Sequence, residues 1–530
     1  MQGDSLSPLL FVLAMEPLSR SLNEKHEMIQ VGDLTRNHLI FMDDIKLFTR
    51  QEDELIRMCK TTQNCLARMG FELNCEKSAS NIMNAEMIGK HLESHKAYKY
   101  LGILESPFSN VEEEMNKKIV CGKIRKRTKE ITKANLTARN MSLAINEYAL
   151  SPINYYIGIL DFTEDEYKNI DKEVKERLYE MKMLRNAANI ERLYLPRDKQ
   201  GRGIMSMVTR AESMLVKLND AMQRNLEMQE VMNNEVRSCT RLSLIREILT
   251  QKYSLSTELF EMKELKTAQE KMLMDKINQK RMHSIIFKND ENEQIDFEMS
   301  ACWLKNGYIS MKEEGTLMKM QDRNIVSKES KCQRCKRAQW TVEHVATHCG
   351  SLLHIGYKTR HDEVARYIHH KIAKRYGLTT RRTLKGHRME SVIANEKVKI
   401  KSDMPIRTDA ACQHNRPDLM VMDRKERKIW IIEVGITSRN NVAKIEVEKK
   451  RKYELLAGDL RSQHAQYEVE IVPVVIGWDA TVTKHIMKHL KKIGLDKKDL
   501  AKIQIITMKK TMDMVNQDVF EALEGHDDIM

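Results

Sequence analysis

Turn-forming residues are scarce in this chain: 20 glycines and 8 prolines stand among 530 residues, about a twentieth of the total where average proteins carry roughly an eighth. So few turns point to long helices and argue against an all-β sandwich or barrel. The length alone suggests roughly three or four domains. Charged residues at 31% and hydrophobic residues at 41% lie close to globular norms, so the chain is expected to fold rather than stay disordered. Lys and Arg (89) exceed Asp and Glu (76) to leave a formal charge of +13, a balance that favours a polyanionic partner such as nucleic acid. The 10 cysteines are too few for a disulfide scaffold. Three of them cluster beside histidines, which suggests a metal site in a reducing compartment. No stretch approaches the roughly 18 uninterrupted apolar residues of a membrane helix, and Met1-Gln2-Gly3-Asp4 lacks the regions of a signal peptide. An intracellular protein without a membrane partner is expected.

The first hundred residues mix short apolar runs with helical patterns. Ser7 is placed to cap a helix with Pro8 in its first turn, and Leu9, Leu10, Leu13, Ala14 and Leu18 follow at helical spacing. Leu39 to Met42, then Ile45, Leu47 and Phe48, flank Asp43 and Asp44 as a β-hairpin with carboxylates at its tip. Leu55, Met58, Cys59, Thr62, Leu66 and Met69 form a helical stripe that Gly70 terminates. Between about residues 110 and 290 amphipathic helix dominates. Thr163 and Glu166 make a capping box ahead of Tyr167, Ile170, Val174, Leu178 and Met181. Lys117, Lys118, Lys123, Arg125, Lys126, Arg127, Lys129 and Lys133 crowd one helical segment whose only acid is Glu130. Such a run is either a solvated face or a phosphate contact, and its length favours the contact. Residues 355 to 375 read as helix. Beyond them, apolar strands such as Ile429 to Ile432 and Ile471 to Ile476 alternate with basic helices, an α/β pattern.

By itself an Asp-Asp pair is ordinary turn chemistry. Adjacent acids at a hairpin tip also suit divalent cations that steer phosphate oxygens, and the surroundings of this pair favour that use. Upstream lies Gln2-Gly3-Asp4-Ser5-Leu6-Ser7-Pro8-Leu9-Leu10-Phe11; downstream come Gly70-Phe71-Glu72-Leu73-Asn74-Cys75-Glu76-Lys77 and Tyr98-Lys99-Tyr100-Leu101-Gly102-Ile103. In order and spacing these segments resemble the palm motifs of reverse transcriptases of non-LTR retrotransposons. The resemblance implies that Phe41-Met42-Asp43-Asp44 is the Mg2+-binding hairpin, and that Gly3, Asp4, Ser5 and Pro8 contact template and incoming nucleotide. It implies further that Lys77 lies near the leaving pyrophosphate, and that Tyr100, Leu101 and Gly102 grip the primer. The family draws another catalytic carboxylate from a strand several dozen residues earlier, whereas only Met1 and Gln2 precede Gly3 here. A polymerase domain that is inactive alone is therefore expected.

Cys332-x2-Cys335 is followed after eight residues by His344 and after four more by Cys349, three thiolates and an imidazole in the ligand set of structural zinc. The neighbouring His348 is an alternative to His344. A closed four-ligand site supplies folding energy, about 10 kcal/mol or more in comparable peptides. Retrotransposons with a restriction-like endonuclease resemble this chain here too, placing such a knuckle between polymerase and nuclease, and Ala301 to Gly307 and Arg360-His361-Asp362 also look like that lineage. The resemblance implies that the knuckle helps grip nucleic acid, a role that Arg334, Lys336 and Arg337 fit.

Arg416-Pro417-Asp418 opens an apolar strand, and Glu433 closes another, Lys428 to Ile432. Two acids at the ends of adjacent strands can share one Mg2+, while a nearby lysine orients or activates water. Lys449 is the first candidate for that lysine, with Tyr453 one turn later on the same face; Lys450 and Lys452 are its rivals. Joined to the palm and knuckle segments, the set resembles the PD-(D/E)xK endonuclease of these retrotransposons. In that family the lysine comes from the following helix. Glu433 stands where aspartate is common in that family, and Trp478 and Asp479 depart from the family's small residues after the strand Val472 to Gly477.

The expected architecture is multidomain, mainly α with α+β parts. It comprises a truncated reverse transcriptase palm (1–108), a helical thumb (109–235), a helical linker (236–330), the zinc knuckle (331–350), an α/β restriction-like endonuclease domain (355–515) and an acidic tail (516–530). Lys123, Arg125 and Arg127 are the expected nucleic-acid contacts in the thumb. The expected cofactors are structural Zn2+ and catalytic Mg2+, the partners a DNA target and the element's RNA, and the location nuclear. On this reading the chain is a fragment of a retrotransposon RNA-directed DNA polymerase with a C-terminal DNA endonuclease for target-primed integration. The alternatives are a non-catalytic nucleic-acid-binding remnant or domesticated protein, and a helical scaffold with solubilising charge.

Overall fold

The computed structural model describes residues 4–31, 34–82, 89–93, 96–108, 110–225, 229, 240–288, 294–325, 330–409 and 412–524. Gly3 and the end of the acidic tail, residues 525–530, lie outside them. Among the described residues no helix is long and apolar enough to cross a membrane. The chain forms two compact units, one of residues 1–128, 148–173 and 206–268, the other of 129–147, 174–205 and 269–530.

The first unit begins with helix α1 (Ser7–Lys25). Its N-cap is Leu6 rather than the expected Ser7, because the Asp4 carboxylate captures the Leu6 N–H at 2.9 Å and the helix starts one residue early. The expected stripe is also corrected. Met15, Leu18 and Leu22 are buried against Met58 and Leu66, whereas Leu9, Leu10 and Leu13 are exposed. The helix is apolar around more than one face, and its partner covers only the side bearing Met15, Leu18 and Leu22. Strands β1 (His38–Phe41) and β2 (Asp44–Leu47) pair antiparallel with Phe41 opposite Asp44. Helix α2 (Glu52–Arg68) buries Met58, Cys59, Thr62 and Leu66. It stops where expected: Gly70 adopts φ +81°, its N–H reaches the Ala67 carbonyl and that of Phe71 the Leu66 carbonyl, a Schellman closure.

A second hairpin, β3 (Tyr98–Tyr100) and β4 (Ile103–Glu105), turns on Leu101 and Gly102, both with positive φ, as a type I′ turn demands. Helix α3 (Glu113–Ile131) carries the basic run. Helix α4 (Glu164–Glu180) starts with the expected capping box, Thr163 and Glu166 exchanging side-chain bonds with each other's backbone N–H. Its stripe of Tyr167, Ile170, Val174 and Leu178 is buried.

In the second unit, helix α5 (Met311–Gln321) precedes the knuckle, and helix α6 (Lys358–Arg375) follows it. A five-stranded sheet comes next: β5 (Val392–Ala394), β6 (Val398–Ser402), β7 (Leu419–Asp423), β8 (Lys428–Thr437) and β9 (Glu468–Gly477), in the order β9-β8-β7-β6-β5. Only β8 and β9 run parallel. Helices α7 (Val442–Lys452) and α8 (Glu454–Gln463) form the crossover between them, and α9 (Lys497–Glu524) closes the unit. Trp430, Ile432 and Val434 face a core shared with Val364, Ile368 and Ile503. Ile429 and Ile431 face Leu456 and Leu460 on the other side. Burial on both faces explains why this strand is apolar without alternation. Glu433 lies within β8, not at its end as expected, because the ladder with β9 continues to Thr437.

Buried charge fastens the helical part of this unit. Glu314 on α5, fully buried, accepts from Arg202 Nε at 2.8 Å and pairs with Arg197. Arg192 meets Asp322 at 2.6 Å, and Gln321 donates to the Asp479 carbonyl at 2.6 Å. Removing one partner strands the others in a low dielectric. Glu314→Ala is expected to destabilise the protein by about 3–5 kcal/mol, read as a lowered urea midpoint.

Candidate metal centres and nucleic-acid contacts

Asp418 immediately precedes β7, whose pairing sets Leu419 opposite Ile432. That register places Asp418 across from Glu433, where cross-strand partners share a face. The two carboxylates read each other's strand: Asp418 Oδ2 accepts from Val434 N at 2.7 Å, and Glu433 Oε2 from Asp418 N at 3.3 Å. Glu433 is 3% exposed, and its Oε1 accepts from Lys449 Nζ at 2.7 Å and Lys452 Nζ at 3.1 Å. Lys449 therefore lies where the sequence places it, Lys452 joins it, and the third contender, Lys450, is exposed. Tyr453 caps α7 and donates to the Arg416 carbonyl at 2.9 Å. Burial and the charge of Glu433 push its phenol up, so it stays a neutral donor.

His361 on α6 is the participant to which the sequence assigned no role. Its Nε2 lies 3.0 Å from Asp418 Oδ2, and its Nδ1 3.2 Å from Asp362 Oδ1. Burial opposes the imidazolium, but the two carboxylates outweigh it and raise the ring to about 9. Burial likewise works against the Asp418 carboxylate, and His361, the Val434 N–H and Lys449 together bring it below its usual range. Arg360-His361-Asp362 was visible as a motif; the contact across 57 residues was not. His361, Asp362, Asp418 and Lys449 line an open cavity of about 730 Å³ with Asp403 and Thr347, and Glu433 is buried outside its lining. Asp418 Oδ1 has no hydrogen-bond partner among the described residues, and hard carboxylate oxygens of this kind fit Mg2+.

Cys332, Cys335, His344 and Cys349 place their ligand atoms within 4.8 Å of one another. Cys332 and Cys349 sulfurs are 3.9 Å apart, and Cys335 Sγ lies 3.4 Å from His344 Nε2. Tetrahedral zinc with Zn–S of about 2.3 Å sets ligand atoms about 3.8 Å apart, so side-chain shifts of about an ångström or less let the group close on zinc. Backbone N–H groups of Ala338 and Arg337 lower the Cys335 thiol to about 6, whereas burial pushes Cys349 up to about 11. His348 hydrogen-bonds Thr347 and stands outside the group.

In the first unit Asp43 occupies the turn and Asp44 the first position of β2, both exposed. Lys46 pairs with Glu105 and lies 5.1 Å from the Tyr100 ring, which draws β4 alongside β2. Lys77 is exposed in the turn after α2; its carbonyl accepts from Tyr98 at 2.8 Å, and its ammonium makes no contact with Asp43 or Asp44. Asp4 and Ser5 form the turn before α1 and Pro8 lies in its first turn. Of the expected thumb contacts, Arg125 pairs with Glu173, bonding through Nε at 3.1 Å, and Arg127 donates to the Tyr148 carbonyl at 2.9 Å. Lys123 is exposed over the Tyr156 ring.

Zinc titration of the full chain should load one ion at this Cys/His group. Cys332→Ser or His344→Ala should abolish it and His348→Ala should leave it intact, as read by metal analysis after dialysis.

A family model for reverse transcriptase (RNA-dependent DNA polymerase) matches residues 1–104. No curated protein matches the chain. The match covers the α1, β1–β2, α2 and β3–β4 segments, and the N-terminal part of this chain is thereby supported as a reverse transcriptase domain, whose substrates are nucleic acids.

Proposed function

We propose that residues 355–515 act as a Mg2+-dependent DNA endonuclease attached to the reverse transcriptase domain, within a protein of the non-LTR retrotransposon type that nicks target DNA for primed copying. The observation that carries this reading is the pairing of Asp418 with Glu433 on one face of the sheet, with Lys449 bonded to the second carboxylate. Mg2+ held by Asp418 and Glu433 would polarise the scissile phosphate. Lys449 is placed to hold the attacking water or to offset charge on the phosphate, and Lys452 screens the buried Glu433. His361 fixes the Asp418 carboxylate through Oδ2 and leaves Oδ1 without a hydrogen-bond partner among the described residues. Exposed Lys123 in the thumb and the basic residues around the knuckle supply contacts to the sugar-phosphate backbone.

Among the described residues no third carboxylate, histidine or cysteine joins Asp43 and Asp44. Two-metal phosphoryl transfer needs a fuller donor set, so the nuclease is the activity proposed for this chain acting alone, in a nuclear location.

Supercoiled plasmid should be nicked by the full chain in Mg2+. Asp418→Ala and Glu433→Gln should lower the rate by about 100-fold or more, and Lys449→Ala by about tenfold or more. Tight DNA binding with no Mg2+-dependent nicking would overturn the reading in favour of a non-catalytic binder. Primer extension on an RNA template should be undetectable, and extension abolished by Asp43→Ala would refute the assignment of the palm as insufficient.

A further inference from the structure

The knuckle and the carboxylate pair are joined by the first turn of α6. Tyr357, its N-cap residue, accepts from Cys349 N at 2.8 Å and donates to the Val345 carbonyl at 3.0 Å. Arg360 sends Nη2 to the Ala346 carbonyl at 2.9 Å and Nη1 to Thr511 Oγ1 at 2.8 Å, with its guanidinium over the Tyr357 ring at 5.3 Å. The contacted backbone lies between two of the four metal ligands, His344 and Cys349. Next to Arg360 in the chain, His361 reaches Asp418. Tyr357, Arg360 and His361 fall at i, i+3 and i+4, one face of one helical turn.

Arg360 is not a space filler. It is 2% exposed and has no carboxylate partner among the described residues. Burying a guanidinium without a counter-charge is costly, and an apolar side chain would fill the same volume without that cost. What Arg360 provides instead is a directed bond to the Ala346 carbonyl, in the middle of the short His344–His348 π-turn, whose last carbonyls have no following turn to accept from. Thr347, within the same turn, lines the cavity that holds Asp418 and Lys449.

We propose that Tyr357 and Arg360 are positioning residues that couple the metal-loaded knuckle to the nuclease site, so that zinc at Cys332, Cys335, His344 and Cys349 sets the reach of His361 to Asp418. Zinc fixes the 344–349 backbone; Tyr357 and Arg360 read that backbone; the first turn of α6 follows; His361 holds Asp418 with one oxygen free. The knuckle thereby regulates the cavity without touching substrate. Its effect on cleavage rests on the endonuclease reading, whereas its effect on the α6 turn does not.

The test uses the full chain and two kinds of readout. Amide hydrogen exchange, with zinc bound and after zinc chelation, reports the coupling directly. Residues 358–364 should exchange at least tenfold faster without zinc while 428–437 keep their protection. Arg360→Met and the milder Tyr357→Phe should reproduce the faster exchange with one zinc still bound. In plasmid nicking, the same variants should raise the half-saturating Mg2+ concentration at least tenfold with DNA affinity within twofold of wild type, and Arg360→Lys should recover part of the loss. Unchanged protection of 358–364 after chelation, or variants with wild-type Mg2+ dependence, would overturn the proposal. A wild-type chain that nicks no DNA would sink the endonuclease reading, and the exchange result alone would then decide the coupling.

Discussion

The register between β7 and β8 is the constraint on which the Asp418–Glu433 pair depends. A slip of one residue would send Asp418 and Glu433 to opposite faces of the sheet. Strands buried on both faces do not fix their register by alternation, because either face accepts apolar side chains. Other devices fix it here. Asp423 Oδ1 accepts from Lys425 N at 2.8 Å and Glu426 N at 2.9 Å, and Arg427 takes a positive φ, so the connecting turn has a defined length and shape. At the far end the Asp418 carboxylate takes the Val434 N–H. The groups proposed to hold the metal thus also hold the strands that present them.

Charge in the second unit is arranged around need rather than spread evenly. Glu433 draws Lys449 and Lys452, Glu314 draws Arg197 and Arg202, and Asp322 draws Arg192. The formal +13 of the chain therefore overstates the cations free to meet phosphate. The same holds on α3, where Lys117 pairs with Glu166 and Arg125 with Glu173. Lys118 and Lys126 remain exposed, opposite the side that buries Asn116, Val120 and Ile124. A charge run in sequence becomes a narrower stripe once local acids have taken their share, and only that stripe acts at distances beyond a hydrogen bond.

Local signals were legible because the physics behind them is local. The Thr163 capping box, the Gly70 stop and the Cys/His spacing each depend on residues within a few turns, and each is found as read. Lys449 is favoured over Lys450 and Lys452 by its i, i+4 relation to Tyr453 on the helix where the resemblance puts the lysine, and its ammonium lies 2.7 Å from Glu433. Ser7 as a cap failed because the helix starts one residue earlier: Ser7 is already its first residue and Leu6 its N-cap, with Asp4 holding the Leu6 N–H. The exposed side of α1 was illegible because periodicity says which residues are apolar, not which partner arrives to cover them. His361 and Arg360 needed the tertiary contact that sets α6 against the sheet and the knuckle, which no spacing rule encodes.

Two pairs of carboxylates in one chain illustrate how setting decides chemistry. Asp43 and Asp44 stand exposed on a two-stranded hairpin, a unit of marginal stability by itself, held because Ile40, Ile45 and Leu47 pack on the α1–α2 layer. The alternate residues Leu39 and Phe41 are exposed, and the nearby Lys46 is committed to Glu105. Water screens such acids, so they gain little from holding a cation with no further ligand. Asp418 lines a partly open cavity and Glu433 is buried beside it, and each is already fixed by backbone and cationic partners. There the dielectric is lower, a cation placed between them is attracted more strongly, and the ligands need not be ordered when it arrives. Preorganisation rather than residue type separates the two sites, and it is the reason the second can be expected to act with the residues this chain supplies.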